Sequence, residues 1–313
     1  MRIVISEVMD DEAVTWLKER FDVLYEPALV GERSGLLAAM PGADALIVKS
    51  RTRVDAELLA SAPQLRAVGR LGTGLDNIDL PACKKRNVAV YPASGVNARS
   101  VAEYVICTAL MLLRPGAYTC TAQVAAGAWP QAQVRSGREM DHKTIGIVGL
   151  GAIGQLVARL ASCMGMRVIA WAPTKAPDDK VFSDLGACSV SMEALLSESD
   201  IVSLSLPLTP ETRGLMSRQR IDAMKKGAIL INTARGGVVD NRALVDALKS
   251  GHLGGAAIDV YDIEPLPSGA VFSEAVPNLL LTPHIAGSTV ESTERRGTIV
   301  ARRVADHLLG THA

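Results

Sequence analysis

Three residues in the C-terminal part of the chain have the types and settings for acid–base and anion-binding chemistry. His284 lies in Leu281-Thr-Pro-His-Ile-Ala-Gly-Ser288, directly after an apolar, strand-like run, with Pro283 fixing the backbone ahead of it. Glu264 sits in Asp259-Val-Tyr-Asp-Ile-Glu-Pro265, beyond a second strand-like run. Arg235 follows a third in Thr233-Ala-Arg-Gly-Gly237. A histidine hydrogen-bonded to a glutamate is a suitable base, because the carboxylate fixes the tautomer and stabilises the imidazolium. An arginine beside two glycines can lay its planar fork on a carboxylate while the backbone comes close. The other histidines, His142, His252, His307 and His312, stand in helical or polar linking sequence and read as solvated.

What these residues could act on depends on Thr144–Gly154, Thr-Ile-Gly-Ile-Val-Gly-Leu-Gly-Ala-Ile-Gly. A β-branched run, Ile145–Val148, leads into Gly149-x-Gly151-x-x-Gly154, and a helix-like segment, Gln155–Cys163, and a strand, Met166–Trp171, follow. The first glycine of such a fingerprint makes the tight turn, and the second lets the backbone approach a pyrophosphate. The third lets helix and strand pack, with the helix N-terminus aimed at the phosphates. With a dinucleotide in place, the three side chains make a coherent set. Oxidising a 2-hydroxy acid needs a base for the hydroxyl proton, a clamp for the carboxylate and a nicotinamide to take the hydride. His284 with Glu264 supplies the base, and Arg235 supplies the clamp and polarises the carbonyl as charge develops.

The elements that must position these residues alternate. Strand-like segments are expected at Arg2–Ser6, Ala45–Lys49, Leu65–Val68 and Val88–Tyr91, with helices at Asp10–Arg20, Val54–Ala60 and Asp79–Arg86. Such alternation predicts a parallel sheet with crossover helices. Near Ser94–Ala98 the pattern changes to an apolar helix from about Ser100, then an Ala/Gly-rich helical arm to about Trp129, then the polar stretch 130–143. After the fingerprint, strands are expected at Ala187–Val190, Ile201–Leu206, Ala228–Asn232, Gly255–Val260 and Leu279–Thr282, and a closing helix at Thr289–Leu309. At 313 residues the length suits about two domains. The fold class expected is α/β: two doubly wound parallel-sheet domains, a dinucleotide-binding Rossmann domain (98–287) inserted into a flavodoxin-like substrate domain (1–97 plus 288–313). A cleft between two such lobes is a preferred place for a small ligand.

Composition narrows the class further. Lys+Arg and Asp+Glu both number 33, so nothing points to nucleic acid or an anionic membrane. Hydrophobic residues make up 48% but aromatics 4%, so the cores must be Ala, Val, Leu and Ile, as suits sheets covered on both faces. Five cysteines without framework spacing read as reduced thiols. The N-terminus reads as a strand, not a signal peptide. The helix near Val101–Leu113 carries Glu103 and is too short to span a bilayer. A cytoplasmic protein without a metal is expected.

Over essentially its full length the chain resembles the D-isomer-specific 2-hydroxyacid dehydrogenases, including the 3-phosphoglycerate dehydrogenases. The resemblance rests on Gly-Arg-Leu-Gly-Thr-Gly-Leu-Asp-Asn-Ile-Asp79, Asn-Ala-Arg-Ser-Val-Ala-Glu103, the Gly149–Gly154 fingerprint and Leu-Pro-Leu-Thr-Pro-Glu-Thr212. It rests further on Ile-Asn-Thr-Ala-Arg-Gly236, Ala-Ile-Asp-Val-Tyr-Asp-Ile-Glu-Pro265 and Thr-Pro-His-Ile-Ala-Gly287. It implies Arg235, Glu264 and His284 as catalytic residues. It implies nucleotide contacts at Gly149, Gly151, Ala152, Ile153, Gly154, Leu206, Pro207, Thr212, Thr233, Ala234, Arg235, Asp259 (at the nicotinamide carboxamide), His284 and Gly287. The loop Leu71, Gly72, Thr73, Gly74 is expected to hold the substrate carboxylate through backbone N–H groups, and Ser100–Trp129 to form a homodimer interface.

One departure bears on the cofactor. The strand Met166–Trp171 should end in an acidic residue for the adenosine ribose hydroxyls, which favours NAD. Here Ala172 stands there, followed by Pro173, Thr174 and Lys175. Without that carboxylate a 2′-phosphate is not repelled, and Thr174 with Lys175 could receive it. NADP or dual use is expected over strict NAD. The substrate is bounded by Lys49, Ser50, Arg51 and Arg70, whose three cations exceed what one carboxylate needs. A second anionic group, phosphate or sulfonate, is expected (a 3-phosphoglycerate or sulfolactate type), unless these cations pair with Asp55, Glu57 or solvent. Glyoxylate or hydroxypyruvate reduction is the alternative, and a dinucleotide-sensing corepressor of the same fold is the rival from another class.

Overall fold

The computed structural model describes residues 1–311, so His312 lies outside the described residues. The chain divides into two compact units, Met1–Asn97 together with the described residues from Ser288 on, and Ala98–Gly287.

The first unit is built on β1 (Arg2–Ile5), β2 (Asp22–Tyr25), β3 (Ala45–Val48), β4 (Ala67–Arg70) and β5 (Ala89–Pro92), all parallel, in the order β2-β1-β3-β4-β5. This is the flavodoxin-like doubly wound order. Period-two alternation sorts the side chains. Ile3, Ile5, Ile47 and Ala67 face the helices Asp11–Lys18 and Val290–Leu309, while Val4, Leu46, Val48 and Val68 face Arg33–Ala39 and Ala56–Ser61.

The second unit carries β6 (Thr144–Val148), β7 (Arg167–Trp171), β8 (Ala187–Ser189), β9 (Ile201–Leu204), β10 (Ile229–Asn232), β11 (Gly255–Ile258) and β12 (Leu279–Leu281). These form one seven-stranded parallel sheet, β12-β11-β10-β9-β6-β7-β8. The order reverses between β6 and β9, the switch point at which this fold binds dinucleotides. Ile145, Ile147, Ile229 and Ile231 pack under the helices Ala98–Leu112 and Ala152–Cys163 on one face. Val202, Leu204, Leu230 and Ile258 pack under Met192–Glu198 and Asn241–Lys249 on the other.

Four local expectations are corrected. The strand placed at Leu65–Val68 is Ala67–Arg70, because pairing with β3 begins at Ala45↔Ala67 while Leu65 turns back onto Ala62 O (3.1 Å). Arg70 therefore ends the strand. The half-exposed edge strand β2 and the helix Arg33–Ala39 were not expected. The helix after the fingerprint begins at Ala152, one residue past Gly151, not at Gln155. The arm to Trp129 is mostly turns with one short helix, Thr121–Ala125. Pro115 has no N–H to continue the preceding helix, and Gly116 and Gly127 take positive φ (77° and 83°). Among the described residues no helix is long and apolar enough to cross a membrane.

Candidate active site

His284 and Glu264 meet. The imidazole Nδ1 lies 2.7 Å from Glu264 Oε2, with the two side chains 45% and 36% exposed, so Nε2 is the ring nitrogen left for a substrate. The glutamate is itself held: its Oε1 accepts the Tyr261 N–H at 3.0 Å, which closes the loop after β11 onto its own carboxylate. His284 adopts φ 56°, a left-handed conformation that histidine tolerates better than bulky residues but still infrequently. Its N–H donates to Thr282 O (3.0 Å) to make the tight turn. A non-glycine residue held there is a recurring mark of functional sites.

The carboxylate of Asp259 explains how the turn is held. Fully buried just past β11, it accepts the N–H of Ile285 (2.8 Å) and Ala286 (2.9 Å) and the hydroxyl of Thr282 (2.6 Å). Because Thr282 donates to Asp259, Tyr104 must donate to Thr282 (2.6 Å). Burial pushes the Tyr104 hydroxyl up to about 12, which keeps it a donor at neutral pH. Tyr104 and Thr282 escaped sequence reasoning. The only signal was that both lie in or beside the quoted motifs, at the edges of residues singled out for other reasons.

Arg235 stands just past β10. Asn232, wholly buried, clasps the loop by accepting the Ala234 N–H (3.0 Å) and donating to Arg235 O (3.1 Å). Gly236 then lies flat against the backbone of Tyr261 and Asp262, where any Cβ would collide. The loop bearing Arg235 and the loop bearing Glu264 therefore touch directly. Three strand ends of one sheet, β10, β11 and β12, thus lead into the loops that carry Arg235, Glu264 and His284.

The fingerprint fits a dinucleotide. Gly149 has φ 97°, and a Cβ there would strike Ser205 O; one at Gly154 would strike Gly149 O. Gly151 has nothing within 4 Å of its virtual Cβ and offers no side chain to cap the helix, so the first-turn N–H groups at Ala152, Ile153 and Gly154 have no side-chain cap there. Leu206 and Pro207 follow β9 across the switch point. The Thr212 hydroxyl donates to Pro207 O and receives the Thr209 N–H (both 2.7 Å), which closes that loop. Thr233 lies in the same row of strand ends, its hydroxyl reaching Leu204 O (3.4 Å). Ala172 follows β7 and opens a turn closed by Lys175 N–H to Ala172 O (3.0 Å), with Thr174 exposed on it.

In the first unit, Lys49, Ser50 and Arg51 follow β3 and Arg70 ends β4. Their backbone is fixed by Glu7, which is buried and accepts N–H groups from Lys49 (2.8 Å), Ser50 (3.2 Å), Arg51 (3.2 Å) and Thr52 (3.0 Å). Sequence reasoning missed Glu7. Asp55 and Glu57 pair with Arg33 (2.5 and 2.8 Å), so they are not the partners weighed for the basic residues. In the loop, the Arg70 guanidinium folds onto Gly72 where a Cβ would otherwise sit. Two histidines read as solvated are structural instead. His307 Nδ1 meets the Tyr91 hydroxyl (2.8 Å) and His252 Nε2 meets Ile221 O (3.2 Å), whereas the His142 side chain is 91% exposed. All five cysteines are free thiols.

Comparison with known proteins gives the family. A family model described as "D-isomer specific 2-hydroxyacid dehydrogenase, NAD binding domain" matches residues 106–286. The (S)-sulfolactate dehydrogenase of Chromohalobacter salexigens is 48% identical over 96% of both chains. The D-3-phosphoglycerate dehydrogenase of Mycobacterium leprae is 40% identical over 98% of this chain, which spans 57% of that longer protein. Among solved structures, the TT0316 protein of Thermus thermophilus superposes with a TM-score of 0.89 at 37% identity, over 99% of this chain and 97% of that one. D-lactate dehydrogenase of Aquifex aeolicus, complexed with NAD and lactic acid, gives 0.84 at 28% identity, over 99% and 96%. The chain belongs to the D-isomer-specific 2-hydroxyacid dehydrogenases, oxidoreductases that move a hydride between a nicotinamide cofactor and a small 2-hydroxy or 2-keto acid.

Proposed function

We propose that the substrate is a 2-hydroxy acid with a second anionic group, of the sulfolactate or 3-phosphoglycerate type. The observation that carries this reading is the crowding of Lys49 and Arg70 at adjacent strand ends, close enough for the Arg70 charge to act on the Lys49 ammonium. The 48% identical sulfolactate dehydrogenase supports the sulfonate form.

In the oxidation, His284 Nε2 takes the hydroxyl proton while Glu264 holds Nδ1–H and stabilises the imidazolium. In the reduction, the same imidazolium returns the proton. Arg235 binds the carboxylate and meets the charge that grows on the carbonyl oxygen. The N–H groups of Leu71, Gly72, Thr73 and Gly74 also hold the carboxylate, and Ser50 and Arg51 accompany Lys49 and Arg70 at the second anion. The nicotinamide, when bound, supplies the hydride acceptor or donor. Gly149, Gly151 and Gly154 with the first turn at Ala152 and Ile153 hold the pyrophosphate. Leu206, Pro207, Thr212, Thr233, Ala234, Asp259 and Gly287 are further nucleotide contacts, Asp259 at the nicotinamide carboxamide. NADP or dual use follows from Ala172, whose methyl cannot repel a 2′-phosphate and which Thr174 and Lys175 follow. The site works in the cytoplasm, in a homodimer.

Following cofactor absorbance with a panel of 2-keto acids, plain, phosphorylated and sulfonated, with NADH and NADPH, tests both parts. The highest kcat/KM is expected on a doubly anionic acid, with NADPH used within about tenfold of NADH. Equal or better turnover of glyoxylate or hydroxypyruvate contradicts the substrate, and an NADH preference of about a hundredfold contradicts the cofactor. Tight cofactor binding with turnover of no acid contradicts the catalytic roles.

A further inference from the structure

The helix Val290–Leu309 lies directly on β4. A Cβ at Gly69 would fall 2.5 Å from Val300 Cγ1 and 3.0 Å from Val304 Cγ2. Arg296 stands four residues before Val300, hence on the same face and one turn nearer the helix start. β3 and β4 pair with Val48 opposite Arg70, so Lys49 leaves the sheet beside Arg70. Three cations from three separate elements converge at these strand ends.

Arg296 is only 6% exposed. Its Nε donates to Ser292 O (3.1 Å) and one Nη to Thr293 Oγ1 (3.0 Å), neutral acceptors on its own helix. Among the described residues no carboxylate forms an ion pair with Arg296 or with Lys49. Glu7 is the acid near enough to favour the Lys49 ammonium, but its carboxylate is occupied by backbone N–H groups. Burial pushes the Lys49 ammonium down, the charge of Arg296 pushes it further, and Arg70 adds to this against Glu7. Burial likewise pushes Arg296 down. A guanidinium stays charged in proteins, so a buried one beside two other cations calls for an anion from outside the chain.

We propose that Arg296 is a specificity-determining residue, which with Lys49 and Arg70 receives a tetrahedral oxyanion, sulfonate or phosphate, on carbon 3 of the 2-hydroxy acid. This rests on the second-anion reading above and adds to it a residue that no motif in the sequence pointed to. The forked guanidinium suits the role because it can place two N–H groups on two oxygens of one group.

The test compares wild type, Arg296→Met and Arg296→Lys on 2-keto acids that carry a 3-sulfonate, a 3-phosphate or no second anion. The readout is the ratio of kcat/KM for each doubly anionic acid to that for pyruvate. In Arg296→Met this ratio is expected to fall about tenfold to a hundredfold, mostly through KM, the range for one lost charged hydrogen bond. The arm with the larger fall identifies which oxyanion the site takes. Inorganic sulfate is expected to raise the melting temperature of the wild type and not that of Arg296→Met. A folded Arg296→Met with an unchanged ratio, or with equal losses on all acids, overturns the role of Arg296. Should that variant not fold, Arg296→Lys carries the test: the ratio falls at least about threefold once the fork is lost, and an unchanged ratio overturns the proposal. A wild type that prefers pyruvate to both doubly anionic acids sinks the second-anion reading itself, a result distinct from either of these.

Discussion

The bond between His284 Nδ1 and Glu264 Oε2 (2.7 Å) decides which ring nitrogen faces the substrate. With a carboxylate on Nδ1, that nitrogen carries the proton and Nε2 is free to accept one; an amide in its place would permit either tautomer. Glu264→Gln is therefore expected to lower kcat by roughly tenfold to a hundredfold, in line with one charge-assisted hydrogen bond at about 1.5–3 kcal/mol. Cofactor dissociation constants should stay near wild type, since Glu264 is not among the proposed nucleotide contacts. Steady-state kinetics beside a cofactor titration check both parts. At this scale the sequence was informative about side-chain identity and silent about support. Arg235, Glu264 and His284 stood out because each follows an apolar run in a loop. Asp259 stood out as a nicotinamide contact, but its bonds to Ile285 and Ala286 could not be read, because those N–H groups lie 26 and 27 residues downstream. Glu7 was invisible for the same reason: its partners begin 42 residues away.

Elements hold these residues through a few polar tethers between strands. Asp200, just ahead of β9, is buried and accepts the Thr144 N–H (3.0 Å) at the start of β6 and the Lys225 ammonium (2.8 Å). Burial alone would push its carboxyl up, but the Lys225 ammonium and the Thr144 N–H outweigh it and hold the carboxyl below its usual range. A carboxyl depressed in the folded state adds stability above its unfolded pKa of about 3.9, and that stability is lost as pH falls through the lower folded value. Asp200→Asn is expected to cost about 1–2 kcal/mol at neutral pH, discounted because Lys225 is half exposed, and to lose less stability than wild type below pH about 4. Urea unfolding across pH measures it. The buried strands of the second sheet were legible, since runs such as Ile-Leu-Ile-Asn232 are apolar almost throughout. The edge strand Asp22–Tyr25 was not, because one charge and three half-buried residues give it no clear period. The limits of β4 were misjudged because pairing with β3, not hydropathy, sets where it starts.

At the scale of the whole chain, the insertion of one doubly wound unit into another was readable from where alternation stopped and restarted. The return of the final helix to the first unit was read from its position after the last strand, and its packing on Gly69 gives the physical reason. What remained hidden was the charge it carries there, since Arg296 sits in a helix whose sequence looks solvated on most faces. The arm 113–129 presents Trp129 (75% exposed), Tyr118 (52%) and Val124 (42%), apolar groups that a monomer would leave in water. Sedimentation is expected to give a dimer for the wild type. Paired Tyr118→Ser and Trp129→Ser substitutions should shift it toward monomer, and a monomeric wild type would contradict the assembly.

The central claim, that the imidazole at 284 carries the proton while the cofactor carries the hydride, is tested most directly by single-turnover kinetics of His284→Asn with cofactor saturating. The account expects hydride transfer slowed by about 10²–10⁴-fold, with cofactor still binding and the fold intact. A variant that turns over within about threefold of the wild type would contradict it, because a positioned general base is worth far more than that.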